Sequence, residues 1–269
     1  MIDYIKALEA FNEYVSYYDV NNPKMKLKII HTMHVAELSE MIARGLHLNE
    51  EDVQLAKLIG LLHDIGRFEQ LRRFDEFRDH LTVNHALLGV EVLKENDRIR
   101  DFIEEDAFDD IIFKAIENHN RLTIEEGLDE RTLLHSKIIR DADKTDIFRV
   151  RIEDPIEDFL PFNQEETENS LITRSLLDTF YSHQCILSST RKTPADTMVS
   201  VLAFIYDYNF CVSLKIVKDR NLLRRMMDRI HFTHLETQQQ VEEMLDYADR
   251  YIDTVLNKNI INEQTGLVV

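Results

Sequence analysis

An all-α fold is the expectation for these 269 residues, and three observations carry it. Glycine at 6 and proline at 4 leave few of the turns an antiparallel β protein requires. Apolar residues recur at three- and four-residue steps, the spacing of one helix face. Cap-forming residues stand where several of those stretches begin.

Taken in order, Leu27, Ile30, His31, His34, Leu38, Met41 and Ile42 share one face, so a helix with two inward histidines is expected from residue 27 onward. Asn49 followed by Glu50, Glu51 and Asp52 reads as a cap with acids in the first turn of a second helix, which runs to Leu62. Gly66 is expected to close it as a C-cap, just after His63-Asp64. The arginine-rich stretch 67–84 reads as a loop holding at most a short helix. Helices are expected at 85–94, 111–118 and 133–148, the last interrupted by Asp141, Asp143 and Asp146.

The acidic segment 153–169, with Pro155 and Pro161, marks a boundary between a core at 1–153 and a helical extension at 154–269. That extension would pack on the core or serve a homodimer. Thr193-Pro194 opens a helix, 198–214 is apolar core packing, and 241–256 is a closing amphipathic helix.

A net charge of −18 repels polyanions, so no nucleic-acid polymer is expected as a partner. A local basic pocket for a small phosphorylated metabolite or nucleotide stays compatible with that charge. Residues 198–214 are too short and too polar to span a bilayer, and residues 1–6 lack a basic leader, so no membrane association or secretion is expected. Cys185 and Cys211 lie in no metal-type spacing and suit reduced thiols in a cytoplasmic protein.

The chemistry is concentrated in an ordered set: His31, His63-Asp64, His85, His119 and Asp143. Each separation is about one helix plus its turn, so antiparallel helices would bring these side chains to one end of a bundle. Mixed imidazole and carboxylate ligands suit Fe, Mn, Co or Zn, whereas Ca and Mg favour oxygen alone. One or two divalent ions can be held, with Asp64 as the bridge. Arg67, Arg72, Arg73 and Arg78 follow the His-Asp pair, and guanidinium groups bind phosphate bidentately, so the group is expected to supply one or two phosphate contacts; any single one of them reads equally as part of a solvated face paired with Glu69, Asp75, Glu76 or Asp79. Lys144, beside Asp143, would act as a point charge.

These residues resemble the HD superfamily of metal-dependent phosphohydrolases. The likeness rests on His31, on His63-Asp64 within Leu61-Leu62-His63-Asp64-Ile65-Gly66, and on Asp143 within Asp141-Ala142-Asp143-Lys144. His85 and His119 resemble the additional pair of its dinuclear branches. The glycine-tyrosine-proline signature of cyclic dinucleotide phosphodiesterases is absent, and Arg67 stands where a lysine often follows the motif. The resemblance implies an HD-type helical bundle in which His31, His63, Asp64 and Asp143 hold one ion and Asp64, His85 and His119 the other. It also implies hydroxide attack on phosphorus at ions held by Asp64, while the position of Arg67 just after the motif makes it, with Asp64, the expected catalytic pair. Two alternatives share the ligand set: a non-haem di-iron oxygenase and a catalytically silent nucleotide sensor. His34 is expected to pack or support, His80 to line a loop or pocket rim, and Asp146 to face solvent or orient a histidine. His47, His135, His183, His231 and His234 read as structural.

Overall fold

The computed structural model describes residues 2–260, and among them the regular structure is helical, with no strand. Two compact units divide between Asp146 and Ile147. This lies before the boundary expected at 153/154, and the reason is local. The division falls inside a continuous helix, where composition carries no signal, whereas the prolines mark only where that helix stops.

In the first unit, α1 (Tyr4–Ser16) is capped by Asp3, whose Oδ1 accepts from the backbone N–H groups of Ile5 and Lys6. Pro23 opens α2 (Pro23–Gly45) behind an Asn22 cap, and the Asn49 side chain accepts from Asp52 at the start of α3 (Glu50–Leu62). Next come α4 (Ile65–Phe74) and α5 (His85–Lys94), the latter capped by Asn84 through the backbone N–H groups of Ala86 and Leu87. A short α6 (Ile99–Phe102) leads to α7 (Asp109–His119). Then α8 (Glu130–Glu153) begins at Asp129, whose Oδ1 accepts from Thr132.

Within α2 the inward face holds Leu27, His31, Leu38 and Ile42, while Ile30 and Met41 are exposed, so the apolar stripe is narrower than its sequence pattern. The stretch after the His-Asp pair is also more regular than expected: α4 occupies residues that composition assigned to a loop. Its arginines are good helix formers, and its Ile65, Phe68 and Leu71 are buried along one side.

Two glycines set the helix spacing. At Gly60 a Cβ would stand 2.7 Å from the Ala36 Cα, so α2 and α3 meet backbone to backbone one turn before His63. Gly66, expected as a C-cap, lies inside α4 instead. A Cβ there would meet the His85 carbonyl oxygen at 2.3 Å and the Gly89 nitrogen at 2.5 Å. The glycine therefore serves close contact between α4 and α5, and no turn conformation is involved. Gly66→Ala is expected to lower stability by about 1–3 kcal/mol through overpacking, read as a fall in the urea midpoint. A neutral effect would mean that α5 shifts freely.

The second unit packs its own core. Phe148, Phe180, Met198, Leu202, Ile205, Leu214, Met226 and Met244 are buried in one cluster. Thr193 caps the helix Pro194–Val199 through the Asp196 N–H, and the stretch 198–214 supplies core side chains as its apolar pattern predicts. The last described helix, Leu235–Ile260, exceeds the expected 241–256 at both ends. Cys185 and Cys211 are free thiols. No helix among the described residues is long and apolar enough to cross a membrane.

Candidate metal centre

Helix ends supply four of the six candidate ligands and helix interiors the other two. His63 follows the last residue of α3, and Asp64 precedes the first residue of α4, so the two share a junction where consecutive side chains need not diverge. His85 is the first residue of α5 and His119 the last of α7. His31 comes from within α2, and Asp143 and Asp146 from within α8. A single shared bundle end, as the spacing suggested, is thus only part of the arrangement.

Asp64 stands at the middle. Its Oδ2 lies 3.6 Å from His31 Nε2 and 3.5 Å from His63 Nε2, while its Oδ1 lies 3.3 Å from His85 Nε2 and 3.7 Å from His119 Nε2. Asp143 Oδ1 completes the first side, 3.1 Å from His31 Nε2 and 3.9 Å from His63 Nε2. Two groups of potential ligands, His31-His63-Asp64 and Asp64-His85-His119, therefore share one carboxylate. All of these residues are buried except Asp143, which is partly so.

The other ring nitrogens decide what these groups can bind. Nδ1–H of His63 donates to the Gly60 carbonyl at 2.8 Å, and that of His119 donates to the Ile116 carbonyl at 2.7 Å. His85 Nδ1–H donates to Asp79 Oδ2 at 2.6 Å. A carbonyl or carboxylate can only accept, so each of these rings presents a bare Nε2 lone pair inward. His63 Nε2 is buried with no hydrogen-bond partner, and the Nε2 atoms of His85 and His119 face each other at 3.0 Å. Lone pairs opposed in this way among carboxylates fit a cation, and the outer partners are those that orient metal-binding imidazoles.

Charge follows the same geometry. Burial pushes the Asp64 carboxyl up, but Lys28, His63 and His119 outweigh it and hold it well below the usual carboxylate range. Burial and the neighbouring Arg67 push His85 down to about 3, against the pull of Asp79. Burial also lowers His63. His31 goes the other way: burial and Lys28 disfavour its charge, yet Asp143 and Asp146 together raise it to about 9.

Ligation needs the neutral form of His31, so metal uptake at pH 7–8, below its raised pKa of about 9, is expected to expel its proton. Calorimetric titration in two buffers of different ionisation heat should show release of close to one proton per chain at pH 7.5. Release should fade as pH rises past 9, and its absence at neutral pH would contradict the His31 assignment. Raised pKa has a second consequence: the stability His31 lends the metal-free protein is complete below about 6.5 and is lost as pH climbs through 9.

Of the cationic residues singled out by sequence, Arg67 reaches the centre. Its Nε is 3.7 Å from Asp64 Oδ1, and its Nη1 donates to Gln70 Oε1, the Phe77 carbonyl and Asp79 Oδ1. Arg72 and Arg73 both pair with Glu69, and Arg78 pairs with Glu76, all three with largely exposed side chains. For Arg72 and Arg73 the physical reason is the length of α4: residues five and six positions after Arg67 are rotated by about 140° and 240° around it. Lys144 follows Asp143 on α8 and is partly exposed.

Other histidines sort simply. His34 is half-exposed, 3.9 Å from Glu37, rather than packed or supporting, and His80 is exposed. Asp146 Oδ2 accepts from His31 Nδ1 at 2.7 Å, so it orients a histidine and does not face solvent. His135 is buried against Asp52, His183 stacks on Tyr206, and His234 contacts the Asn169 carbonyl.

Sequence reading missed Lys28, Gln70 and Asn120, and it gave Asp79 a place only as an arginine partner, not as the acceptor for His85. Lys28 Nζ is 2.6 Å from Asp64 Oδ2, and a signal for it existed, since it precedes His31 by three residues on one helix. Asp79 collects Arg67, Gln70 and His85 from within 12 positions and Asn120 from 41 positions away, a convergence that no single helix or strand period announces.

Comparison with protein-family models matches residues 29–147 to the HD domain, somewhat under half of the chain. No curated protein and no solved structure matches.

Proposed function

We propose, from the premise that residues 29–147 are an HD domain and so belong to a superfamily of metal-dependent hydrolases, that this protein is a phosphohydrolase acting on a small phosphoester, with a nucleotide as the first candidate. One observation carries the reading: two inward-facing ligand groups share Asp64, with a cationic side chain next to each of its oxygens, Lys28 at Oδ2 and Arg67 at Oδ1. Ligands of this kind suit Fe, Mn, Co or Zn. Bound divalent ions would lower the pKa of coordinated water to about 7 and polarise a phosphoryl oxygen.

The chain's own residues supply the rest. His31 and His63 on one side, and His85 and His119 on the other, are held in fixed tautomers or by fixed partners, so they need little reorganisation to act as ligands. Arg67 is anchored by three acceptors on a single nitrogen, which leaves its remaining donors to meet equatorial charge on phosphorus. The partly buried setting strengthens each of these interactions relative to water.

Metal-replete protein should release inorganic phosphate from at least one member of a broad phosphoester panel, at equal rates with and without oxygen. Inactivity across the panel would remove the reading. Oxygen consumption coupled to substrate would favour the second reading, a di-iron oxygenase, which the four-histidine, two-aspartate set also supports.

A further inference from the structure

We propose that Lys28 is a movable counter-cation of this centre: its ammonium holds Asp64 while no dication is bound, and metal loading releases it to grip the anionic group of the substrate. The proposal rests on the reading of the site as a metal centre and adds an order of events to it.

Lys28 Nζ lies 2.6 Å from Asp64 Oδ2, with the two side chains only 14% and 3% exposed. Oδ2 is the oxygen that faces His31 and His63, so the ammonium stands against the atom a dication would take. Two cations on one carboxylate oxygen repel strongly in a buried setting. One must leave.

Lys28 is built to be the one that leaves. Among the described residues the sole hydrogen-bonded partner of its ammonium is Asp64, and the ammonium lies 5.3 Å from the centroid of the Phe77 ring. An ammonium on a flexible four-carbon stem can slide along an aromatic face at little cost. Arg67 lies over the same ring at 5.7 Å but is fixed by Gln70, Asp79 and the Phe77 carbonyl. Asp64 thus has one tethered and one mobile cation, each at a different oxygen.

Displacement leaves an unpaired ammonium beside the centre, where the group it can best neutralise is an incoming oxyanion. Metal binding and phosphate binding are then positively linked, and the linkage passes through one side chain. In the metal-free protein Lys28 is occupied and phosphate finds a weaker site.

Calorimetric titration of Mn2+ into metal-free full-length protein tests this, with wild type, the neutral variants Lys28→Met and Lys28→Gln, and the charge-retaining Lys28→Arg. Circular dichroism establishes folding before each titration. Both neutral variants should bind Mn2+ about tenfold more tightly, because the competing charge is gone, while Lys28→Arg stays near wild type. Inorganic phosphate, titrated into each Mn2+-loaded protein, should bind the neutral variants about tenfold more weakly than wild type. Unchanged or weaker Mn2+ binding in the neutral variants overturns the proposal and leaves the metal centre standing. Failure of wild type to bind Mn2+ at all overturns both.

Discussion

Asp64→Asn is expected to abolish binding at both ligand groups and to lower turnover by about a thousandfold. Each group contains Asp64, and its two oxygens face different pairs of histidines. An amide keeps the shape but loses the charge, and its nitrogen would donate where the surrounding lone pairs need a cation. The loss corresponds to several kcal/mol of electrostatic stabilisation supplied by the ions, at roughly 1.4 kcal/mol per factor of ten. Elemental analysis of purified variant and wild type, as ions per chain, gives the direct reading. Should the variant retain its full metal complement, Asp64 would not be the bridge, and the whole arrangement would have to be reassigned.

Next in size is His119→Ala, which should reduce metal from two ions to one and turnover by roughly a hundredfold, the upper end of what even an outer partner costs. His119 Nε2 faces His85 Nε2 at 3.0 Å and belongs only to the second group. His31, His63 and Asp143 would retain their ion. The paired variant His31→Ala should instead strip the first group. If one ion is found in wild type and His119→Ala leaves it unchanged, the second group is a support for the first, and the centre is mononuclear.

How much of this was legible in the sequence can be judged residue by residue. His31, His63, Asp64, His85, His119 and Asp143 are singled out by order and spacing, which need no coordinates, and the structure brings these six side chains together. Gly66 was noticed but given the wrong task. A glycine beside a helix end suggests a cap, and only the position of α5 shows that the His85 carbonyl occupies the space a Cβ would need. Chain order alone groups Arg72 and Arg73 with Arg67 as guanidinium groups that follow the His-Asp pair, whereas the helix distributes them around its axis. Arg140, buried with its guanidinium on the carbonyls of Asn118 and Leu122, was not singled out either.

By itself the sequence determined the helical class, the candidate ligands and the resemblance of residues 29–147 to an HD domain, because periodicity and motif spacing are properties of the chain taken in order. Tertiary structure alone decided which charges surround those ligands. Lys28 and Asp79 are common residue types in polar stretches, and their importance comes from distances of 2.6 Å to groups 36 and 6 positions away. Helix packing sets such distances, and α2 can approach α3 this closely only because Gly60 leaves the Ala36 backbone room.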